Sequence, residues 1–531
     1  MSGKRGRFVP AALVAMLTLA FAVACAAFVA QPTLASFADD SVSYLVVAQT
    51  FSPWQGASAP VAEAFAREAF YPPLFPLLLA LAGAAHDMAR AHAATALMLA
   101  ACLPLVYLLG ARWLGSRALA LAIALAVALL PALWINAKGI LSEPLFCLVL
   151  LATLCVLDAG AALRGRTAVL ALLMAALVLT RTVGLPAVAA YALWVLTRRS
   201  LPEGRMRALI PVFTALAAYA IWVVLRPPAT ADGNVQALIQ RGQELLGAQP
   251  LAALLALLLR QANAMAEAWM GSLMVYWVAG SPLRPALACA AGLLALVGLA
   301  MRFVQGKPDA WMLAAYLLTY LLWPFQDQME RFLFPALPVL VLYAFDALPA
   351  VGRYARPGRV LLSVLLLSLS APAMVFLYQR AHAPGPYAAI TDWYRKPDLA
   401  QARARAKTQL DLLADMQVIR SLTKPGDRVM WVAPSYLALL ADRRGVPAPP
   451  ADLDPAAYRA AVRASEADYV FLSLYHPRDT IRDSAWRAGV RALTGYAKVV
   501  HARTRDEHGV VTALLLKVDR TGAITASLDA R

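Results

Sequence analysis

The sequence predicts a polytopic α-helical membrane protein with about 11 transmembrane helices and a small C-terminal α/β extracytoplasmic domain. Three observations predict this fold class. Hydrophobic residues make up 61% of the 531 residues and charged residues 15%, whereas soluble domains average about 25% charged residues. Apolar runs of membrane-spanning length recur, and basic residues fill alternate connections between them. After about residue 380 the sequence becomes polar, and strand and helix patterns alternate.

The apolar runs define the predicted spans, because each approaches the length that crosses a hydrocarbon core about 30 Å thick. They cover residues 8–30, 91–111, 118–135, 140–158, 167–181, 183–197, 208–226, 283–301, 310–325, 332–348 and 359–379. The first run is longer than the apolar core of about 7–15 residues in a cleaved signal peptide, so we predict an uncleaved span. All cysteines fall in apolar segments, which predicts neither a disulfide nor a metal cluster. They are Cys25, Cys102, Cys147, Cys155 and Cys289.

Basic residues at the ends of the spans predict the orientation of the chain. The short connections of one set hold about one basic residue each, at Lys138, Arg181 and Arg331. The other set comprises Lys4, Arg5, Arg7, Arg112, Arg117, Arg164, Arg166, Arg198, Arg199, Arg205, Arg207, Arg302, Lys307, Arg353, Arg356 and Arg359. Because cytoplasmic loops carry the excess of Lys and Arg, the N-terminus is predicted inside. The net charge of +17 is thus explained by topology, and no nucleic-acid partner is predicted.

Two segments decide the number of spans. Residues 71–86 contain several prolines and would invert every later loop if counted, so we predict a helix in the membrane interface. Residues 168–197 are too long for one span and are interrupted by Arg181, so we predict two short helices.

The predicted domains follow from this topology. Residues 1–380 form the transmembrane domain, with a first outer loop at 31–90 that carries interfacial helices and a second large outer loop at 227–282. Residues 381–531 form a soluble periplasmic α/β domain. Its predicted strands are 429–432, 468–474, 497–502 and 510–518, and its predicted helices lie around 408–423, 455–465 and 484–494.

Polar residues that are costly in a membrane gather on the predicted outer face, where they mark function. Asp39 and Asp40 follow the first span, and the same loop contains Glu63, Arg67 and Glu68. The others are Lys138, Ser142, Glu143, Arg181, Arg241, Glu244, Arg260, Glu267, Trp269, Tyr276, Trp277, Asp327, Glu330 and Arg331. This segregation predicts a single polar cavity that opens outward.

Each of these residues also has a structural alternative. Asp39 or Asp40 could cap a helix that starts at Ser41, and Glu143 could simply begin the next helix, where a carboxylate suits the positive end of the dipole. Arg181 and the other outer arginine could be interface anchors, and the aromatic residues of the second loop could form an aromatic belt. These alternatives stay open at the level of the sequence.

Five segments resemble a known family by their order and spacing. DDSVSYLVVAQ, YPPLFPLLLAL, LLPALWINAKGILSEPLF, LTRTVGLPAVA and ERFLFPALPVL are similar to membrane glycosyltransferases of the GT-C fold. The most similar group is the family-39-like one, which includes the protein O-mannosyltransferases and the aminoarabinose transferase of lipid A. The resemblance covers roughly residues 1–380 and implies that they form a GT-C-like catalytic domain. It implies an enzyme that transfers a hexosyl or pentosyl group from a polyprenyl-phosphate carrier to an acceptor on the outer face.

The resemblance also implies roles for particular residues. The family spacing Asp-x-x-x-Tyr-x-x-x-Ala fits Asp40, Tyr44 and Ala48, but many members carry Asp-Glu where this chain has Asp39-Asp40, so Asp39 is the alternate. The family's Ser-Glu pair matches Ser142 and Glu143, and its outer arginine matches Arg331. The catalytic candidates are Asp40, Asp39 and Glu143; the donor-phosphate candidates are Arg331, Arg181 and Lys138; the substrate candidates are Tyr44, Ser142 and Glu63.

The residue types suit inverting transfer. A carboxylate can deprotonate the acceptor, and a positioned general base contributes typically about 10²–10⁴-fold. The leaving group is a lipid phosphate, and the planar guanidinium of arginine binds phosphate with two parallel hydrogen bonds. We predict no His/Cys metal site and no cofactor besides the lipid-linked sugar, which is a substrate; a divalent cation bound by carboxylates stays open.

The implied partners are a polyprenyl-phosphate sugar, an envelope acceptor of unknown identity, and membrane lipids. The implied location is the bacterial inner membrane, with the N-terminus cytoplasmic and the C-terminal domain periplasmic. Two other functions stay open. A transporter or flippase of lipid-linked or small polar substrates would place charges near mid-membrane, and a scaffold of the same fold would lack catalysis.

Overall fold

The computed structural model describes residues 5–30, 39–160, 163–199, 201, 204–228, 239, 242–243, 250–275, 282–323, 326, 328–395, 398–475, 482–504 and 510–518. The first half of the chain contains helices α1 Arg5–Val29, α2 Asp39–Phe51, α3 Ala59–Glu68, α4 Leu74–Leu81, α5 Met88–Leu114, α6 Arg117–Ala128, α7 Pro131–Ala137, α8 Glu143–Ala159, α9 Arg166–Thr180, α10 Gly184–Thr197 and α11 Arg205–Leu225.

The second half contains helices α12 Pro250–Met274, α13 Leu283–Val304, α14 Pro308–Leu321, α15 Met329–Leu333, α16 Leu337–Ala347, α17 Ala355–Ala381, α18 Asp392–Arg395, α19 Leu399–Leu422, α20 Pro434–Tyr436, α21 Pro455–Ala464 and α22 Arg482–Leu493. Short 3₁₀ helices cover Phe334–Ala336, Leu348–Tyr354 and Pro386–Ala389, and a π-helical turn covers Leu437–Ala441. The strands are β1 Arg428–Trp431, β2 Arg444–Pro447, β3 Tyr469–Ser473, β4 Ala497–Thr504 and β5 Val511–Val518.

Contacts within the chain define two compact units. The first comprises Met1–Ala35, Phe70–Phe75 and Asp87–Pro397, and the second comprises Ser36–Ala69, Pro76–His86 and Asp398–Arg531. Helices α2, α3 and most of α4 therefore belong to the same unit as the C-terminal sheet.

The first unit makes the chain a multipass membrane protein. Among the described residues, six helices are long and apolar enough to cross a membrane, namely α1, α5, α11, α12, α13 and α17, and α6 and α7 add a seventh span, bent by 48°, if they are counted together. Large apolar side chains on these and neighbouring helices face outward; Val224 is 82% exposed and Leu172 is 71% exposed. Such exposure is typical of helices that face lipid.

The predicted count of about eleven spans is not reached by this measure. A helix occupies each predicted span, but several are short: α8 has 17 residues, α9 has 15, and α10 and α14 have 14 each. At about 1.5 Å per residue, a helix of 14 residues is only about 21 Å long. Helix α12 was not predicted as a span, because the sequence analysis assigned its residues to the second large outer loop at 227–282.

Close helix packing in the first unit depends on a small residue at one crossing. A Cβ atom added at Gly298 of α13 would collide with the backbone carbonyl of Tyr343 in α16. Small residues allow helix backbones to approach in this way in membranes.

The second unit contains a five-stranded sheet in the order β2-β1-β3-β5-β4. Strands β2, β1 and β3 are parallel, and β5 pairs antiparallel with both β3 and β4. Its core includes Met430, Tyr458, Val462, Val470 and Leu516. Elements at these positions confirm the predicted strands and helices of this region. Among the strands, β2 was not predicted, and the short helices α18 and α20 were not predicted either. The β2 sequence RGVP is short and contains Gly and Pro, which are depleted in strands.

The described part of the predicted first outer loop contains the short helices α2, α3 and α4. Helix α4 has 8 residues and is therefore about 12 Å long, too short to cross a bilayer. Helix α3 follows Ser58 with a proline in its first turn, a position that favours helix initiation. Helix α2 begins with its two acids, where carboxylates suit the positive end of the helix dipole.

Candidate functional site

Glu143 is the centre of a buried polar cluster in the first unit. It is the first residue of α8, with Ser142 before it and a proline after it, and it is 0% exposed. Arg181 Nη1 lies 2.6 Å from Glu143 Oε1, and Arg331 Nε donates to the same oxygen. Arg181 Nη1 also donates to Ser142 Oγ at 3.0 Å. Four of the predicted site residues therefore come together; we call them the Glu143 cluster.

Helix ends supply every member of the Glu143 cluster. Arg181 directly follows α9 and has an extended backbone, with φ −151° and ψ 140°. Arg331 lies in the five-residue helix α15, which is followed by a 3₁₀ turn containing a proline. Charges at helix ends avoid the greater cost of a charge at the bilayer centre.

Aromatic residues enclose the cluster. The guanidinium carbon of Arg181 lies 5.9 Å from the centre of the Phe332 ring, and that of Arg331 lies 6.0 Å from it. Phe332 stacks on Tyr320 with 4.8 Å between ring centres, and Tyr316 Oη donates to the Phe332 carbonyl at 2.6 Å. Apolar enclosure excludes water, which strengthens charge interactions.

The two oxygens of Glu143 have different surroundings. Two guanidinium groups share one oxygen of this carboxylate. Glu143 Oε2 is buried and has no hydrogen-bond partner among the described residues. A metal cation would be repelled by the two nearby arginines, so we do not assign a metal to Glu143. Among the described residues, no group of three or more His, Cys, Asp and Glu side chains could hold a metal ion.

Lys138 is 1% exposed and has other partners. Its Nζ donates to the carbonyl of Phe28 at 2.5 Å and to that of Ala388 at 2.8 Å. It also lies 4.1 Å from the ring centre of Phe28 and 5.0 Å from that of Tyr394. These contacts connect the end of α1 to the segment after α17.

Asp40 belongs to the second unit. It is partly buried in the first turn of α2. Tyr44 and Ala48 follow at intervals of four residues, so all three share one face of the helix; Tyr44 is 2% exposed and Ala48 is 0% exposed. The side chain of Asp39 lies outside the described residues, as do Arg241, Glu244, Tyr276, Trp277 and Asp327.

Glu68, at the end of α3, is bound by two serines. Ser43 Oγ donates to Glu68 Oε2 at 2.6 Å, and Ser435 Oγ donates to Glu68 Oε1. Burial raises the pKa of Glu68 above its ordinary value; the two serines and Arg67 oppose that rise, and the charge of Asp40 adds to it. The sequence marked Glu68 as an outer-face residue but gave it no role.

Glu63 lies on the surface of the same helix. Its carboxylate is 3.6 Å from Arg444 Nε, and both side chains are more than 40% exposed. An exposed pair of this kind contributes at most about 1 kcal/mol. The structure therefore places the proposed substrate residue in a solvated ion pair.

No family model matches the chain, and a search of curated proteins returns no match. The search of solved structures returns ArnT from Cupriavidus metallidurans bound to undecaprenyl phosphate, at 14% identity and a TM-score of 0.49, covering 94% of this chain and 97% of that one. It also returns the oligosaccharyltransferase AglB from Archaeoglobus fulgidus, in complex with an inhibitory peptide and a dolichol-phosphate, at 12% identity and a TM-score of 0.43, covering 96% and 75%.

A third similar structure is the arabinofuranosyltransferase AftD from Mycobacteria, at 16% identity and a TM-score of 0.48, covering 98% of this chain and 40% of that one. These proteins are GT-C glycosyltransferases, the class that the sequence resembles. These three TM-scores are below 0.5, so the functional proposal below rests on the residues of this chain.

Proposed function

We propose that the chain is an integral-membrane glycosyltransferase. It moves a sugar from a polyprenyl-phosphate-linked donor to an acceptor on the outer, periplasmic face of the membrane, with inversion. The observation that carries this proposal is the Glu143 cluster, in which two arginines from distant helix ends meet at one buried carboxylate.

The proposed role of Arg181 and Arg331 is to bind the donor phosphate. The bond from the sugar to the phosphate oxygen breaks during transfer, and the leaving lipid phosphate gains negative charge. Fixed guanidinium groups in a water-poor site stabilise such charge without reorganising. Glu143 holds both arginines in place through one oxygen, so we assign it positioning of the arginines rather than proton transfer. Ser142, bound to Arg181, supports the same arrangement.

The proposed base is Asp40, with Asp39 as the alternate. Its carboxylate accepts the proton of the attacking hydroxyl or amine, and the freed electron pair forms the new bond to the anomeric carbon. The donor phosphate departs with the electrons of the old bond. Attack on the face opposite the leaving group inverts the configuration at that carbon. A general base of this kind contributes typically about 10²–10⁴-fold.

The proposed location is the bacterial inner membrane, with the N-terminus cytoplasmic. We keep residues 1–380 as the proposed catalytic domain and residues 381–531 as the proposed periplasmic domain. The alternation of basic connections supports this orientation. The donor lipid that we propose is of the class named for ArnT and AglB, undecaprenyl phosphate and dolichol-phosphate respectively.

The placement of buried charges favours an enzyme over a transporter. Besides the Glu143 cluster, the first unit contains Arg302, which binds Asp309 at 2.7 Å and Asp346 at 3.1 Å. These residues lie in the last turn of α13, the first turn of α14 and the last turn of α16. Both clusters thus lie at helix ends, whereas a transporter needs charges along a path through mid-membrane.

Mass spectrometry of envelope lipids and glycans tests the proposal. Cells that lack the protein are complemented with wild type, Asp40→Asn, or Asp452→Asn, which changes an exposed acid in a turn. We expect one envelope component to gain a sugar with wild type and Asp452→Asn but not with Asp40→Asn. If no component changes with wild type, the transferase proposal fails. If Asp40→Asn complements fully, Asp40 is not the base.

A further inference from the structure

The carboxyl group of Glu68 joins three separate segments of the second unit. Glu68 ends α3, Ser43 lies in α2, and Ser435 follows β1. Ser43 is 25 positions from Glu68 in the sequence, and Ser435 is 367 positions from it. The contact therefore connects the first outer loop with the C-terminal sheet. We call Ser43, Glu68 and Ser435 the Glu68 bridge.

The Glu68 bridge lies at a special place in the sheet. Strand β1 is flanked by β2 on one side and β3 on the other. The chain therefore moves from β1 to one side of the sheet to form β2, and then crosses to the other side of β1 to form β3. In open α/β sheets, ligands bind outside the carboxyl ends of the strands at such a point of reversal. Ser435 comes shortly after the carboxyl end of β1. Here its hydroxyl binds a side chain of the same protein.

The surrounding contacts fix the position of Ser435. Helix α3 packs against β2 and against the π-helical turn Leu437–Ala441, and α2 packs against α20. A Cβ atom at Gly445 in β2 would collide with the backbone carbonyl of Pro434, so the turn that carries Ser435 lies directly on the strand. Ser435 is 6% exposed. The hydroxyl is therefore held on a rigid part of the sheet.

The first outer loop thus occupies the place where a free α/β domain would take a ligand. We propose that the C-terminal domain is a positioning element, which holds α2 through the Glu68 bridge and so sets the orientation of Asp40. Asp40 and Ser43 are three residues apart on one helix and therefore lie on neighbouring positions of its surface. Fixing Ser43 restricts the rotation of α2 about its axis and hence the direction of the Asp40 side chain. This inference rests on the proposed function of Asp40.

Misplacement of a reacting group by about 1 Å can cost about 10²-fold in rate. We therefore expect loss of the bridge to lower kcat while the KM for the donor stays within about twofold, because donor binding is assigned to other residues. Glu68 and Ser435 are positioning residues in this proposal, since they act through α2 and not on the substrate.

The first test is amide hydrogen exchange of the full-length protein in detergent. We expect Ser435→Ala and Glu68→Ala each to speed exchange in residues 39–51, while the strands at 428–431 and 469–473 stay protected. The double variant should exchange no faster than the single ones, because both remove the same bridge. The matched control is Ser421→Ala, which removes an exposed hydroxyl bonded only within its own helix. Unchanged exchange in 39–51 would overturn the proposal.

The second test measures sugar transfer with the same variants. We expect kcat to fall about tenfold or more in Ser435→Ala and Glu68→Ala, and Glu68→Gln to retain most activity because its amide can still pair with both serines. If wild type transfers no sugar but the variants loosen α2, the proposed function fails and the bridge stands. If wild type is active and the variants loosen α2 without lowering kcat, the positioning role is wrong.

Discussion

Arg331 and Glu143 lie 188 positions apart in the chain and form an ion pair in which neither side chain is more than 9% exposed. A buried ion pair is weak evidence for stability, because well-packed apolar residues can replace such pairs at no cost or with a gain. Removing one partner alone costs about 3–5 kcal/mol. Arg181 contacts the same carboxylate, so one buried oxygen of Glu143 orients two guanidinium groups.

Replacing either arginine of the cluster by lysine should weaken donor binding. Lysine retains the charge that Glu143 needs but loses the planar fork that binds two phosphate oxygens. We expect Arg331→Lys and Arg181→Lys to raise the KM for the polyprenyl-phosphate sugar about tenfold or more, which corresponds to about 1.4 kcal/mol. Steady-state kinetics with purified protein measures this. Arg491→Lys, on an exposed position of α22, is the control, and an unchanged KM in both cluster variants would exclude phosphate binding there.

Lys138→Met should reduce stability without changing the KM for the donor. The ammonium satisfies the carbonyls of Phe28 and Ala388, and each buried carbonyl that loses its partner costs about 1–3 kcal/mol. Thermal unfolding in detergent should therefore show a lower Tm. If the donor KM of Lys138→Met rises as much as that of Arg331→Lys, Lys138 takes part in binding the donor phosphate.

The raised pKa of Glu68 predicts a pH dependence of stability. Folded Glu68 holds its proton to a higher pH than unfolded Glu68, since burial disfavours its charged form. Above the ordinary carboxyl pKa of about 4.3, the folded state therefore binds more protons than the unfolded state. The free energy of unfolding should fall as pH rises through this interval, and this contribution should vanish in Glu68→Gln.

Tm measured against pH for wild type and Glu68→Gln checks this dependence. Glu466→Gln is the control, because its exposed carboxylate pairs with Arg428 at 2.8 Å on the surface. Parallel Tm curves for wild type and Glu68→Gln would contradict a raised pKa. A decline with pH that disappears only in Glu68→Gln supports it.

The sequence predicted the members of the Glu143 cluster but not their pairing. Glu143, Arg181 and Arg331 lie within or beside apolar runs, where charged residues are costly, and this pattern and the family resemblance made them candidates. Their convergence depends on the packing of α8, α9 and α15, which no local pattern encodes. Lys138 was a third candidate for the same site, and its contacts with the carbonyls of Phe28 and Ala388 could not be predicted from the sequence either.

The C-terminal strands were predictable where their sequences are apolar. Strands β3 and β5 have nearly continuous apolar runs, whereas β2 gave no signal. Helix α12 was not predicted as a span because Arg260 and Glu267 interrupt its apolar residues. The Glu68 bridge could not be predicted, because Ser43 and Ser435 are ordinary residues until the fold brings them to one carboxyl group.

The most direct test of the proposed function is sugar transfer by purified protein in detergent or liposomes. A polyprenyl-phosphate sugar is supplied with envelope extract as the source of acceptor, and the product is detected by mass spectrometry. We expect donor-dependent product with wild type. With Asp40→Asn we expect the rate to fall by at least about 10²-fold, while the Tm stays equal to that of wild type. Equal rates for the two proteins, or no donor-dependent product with wild type, would contradict the proposal.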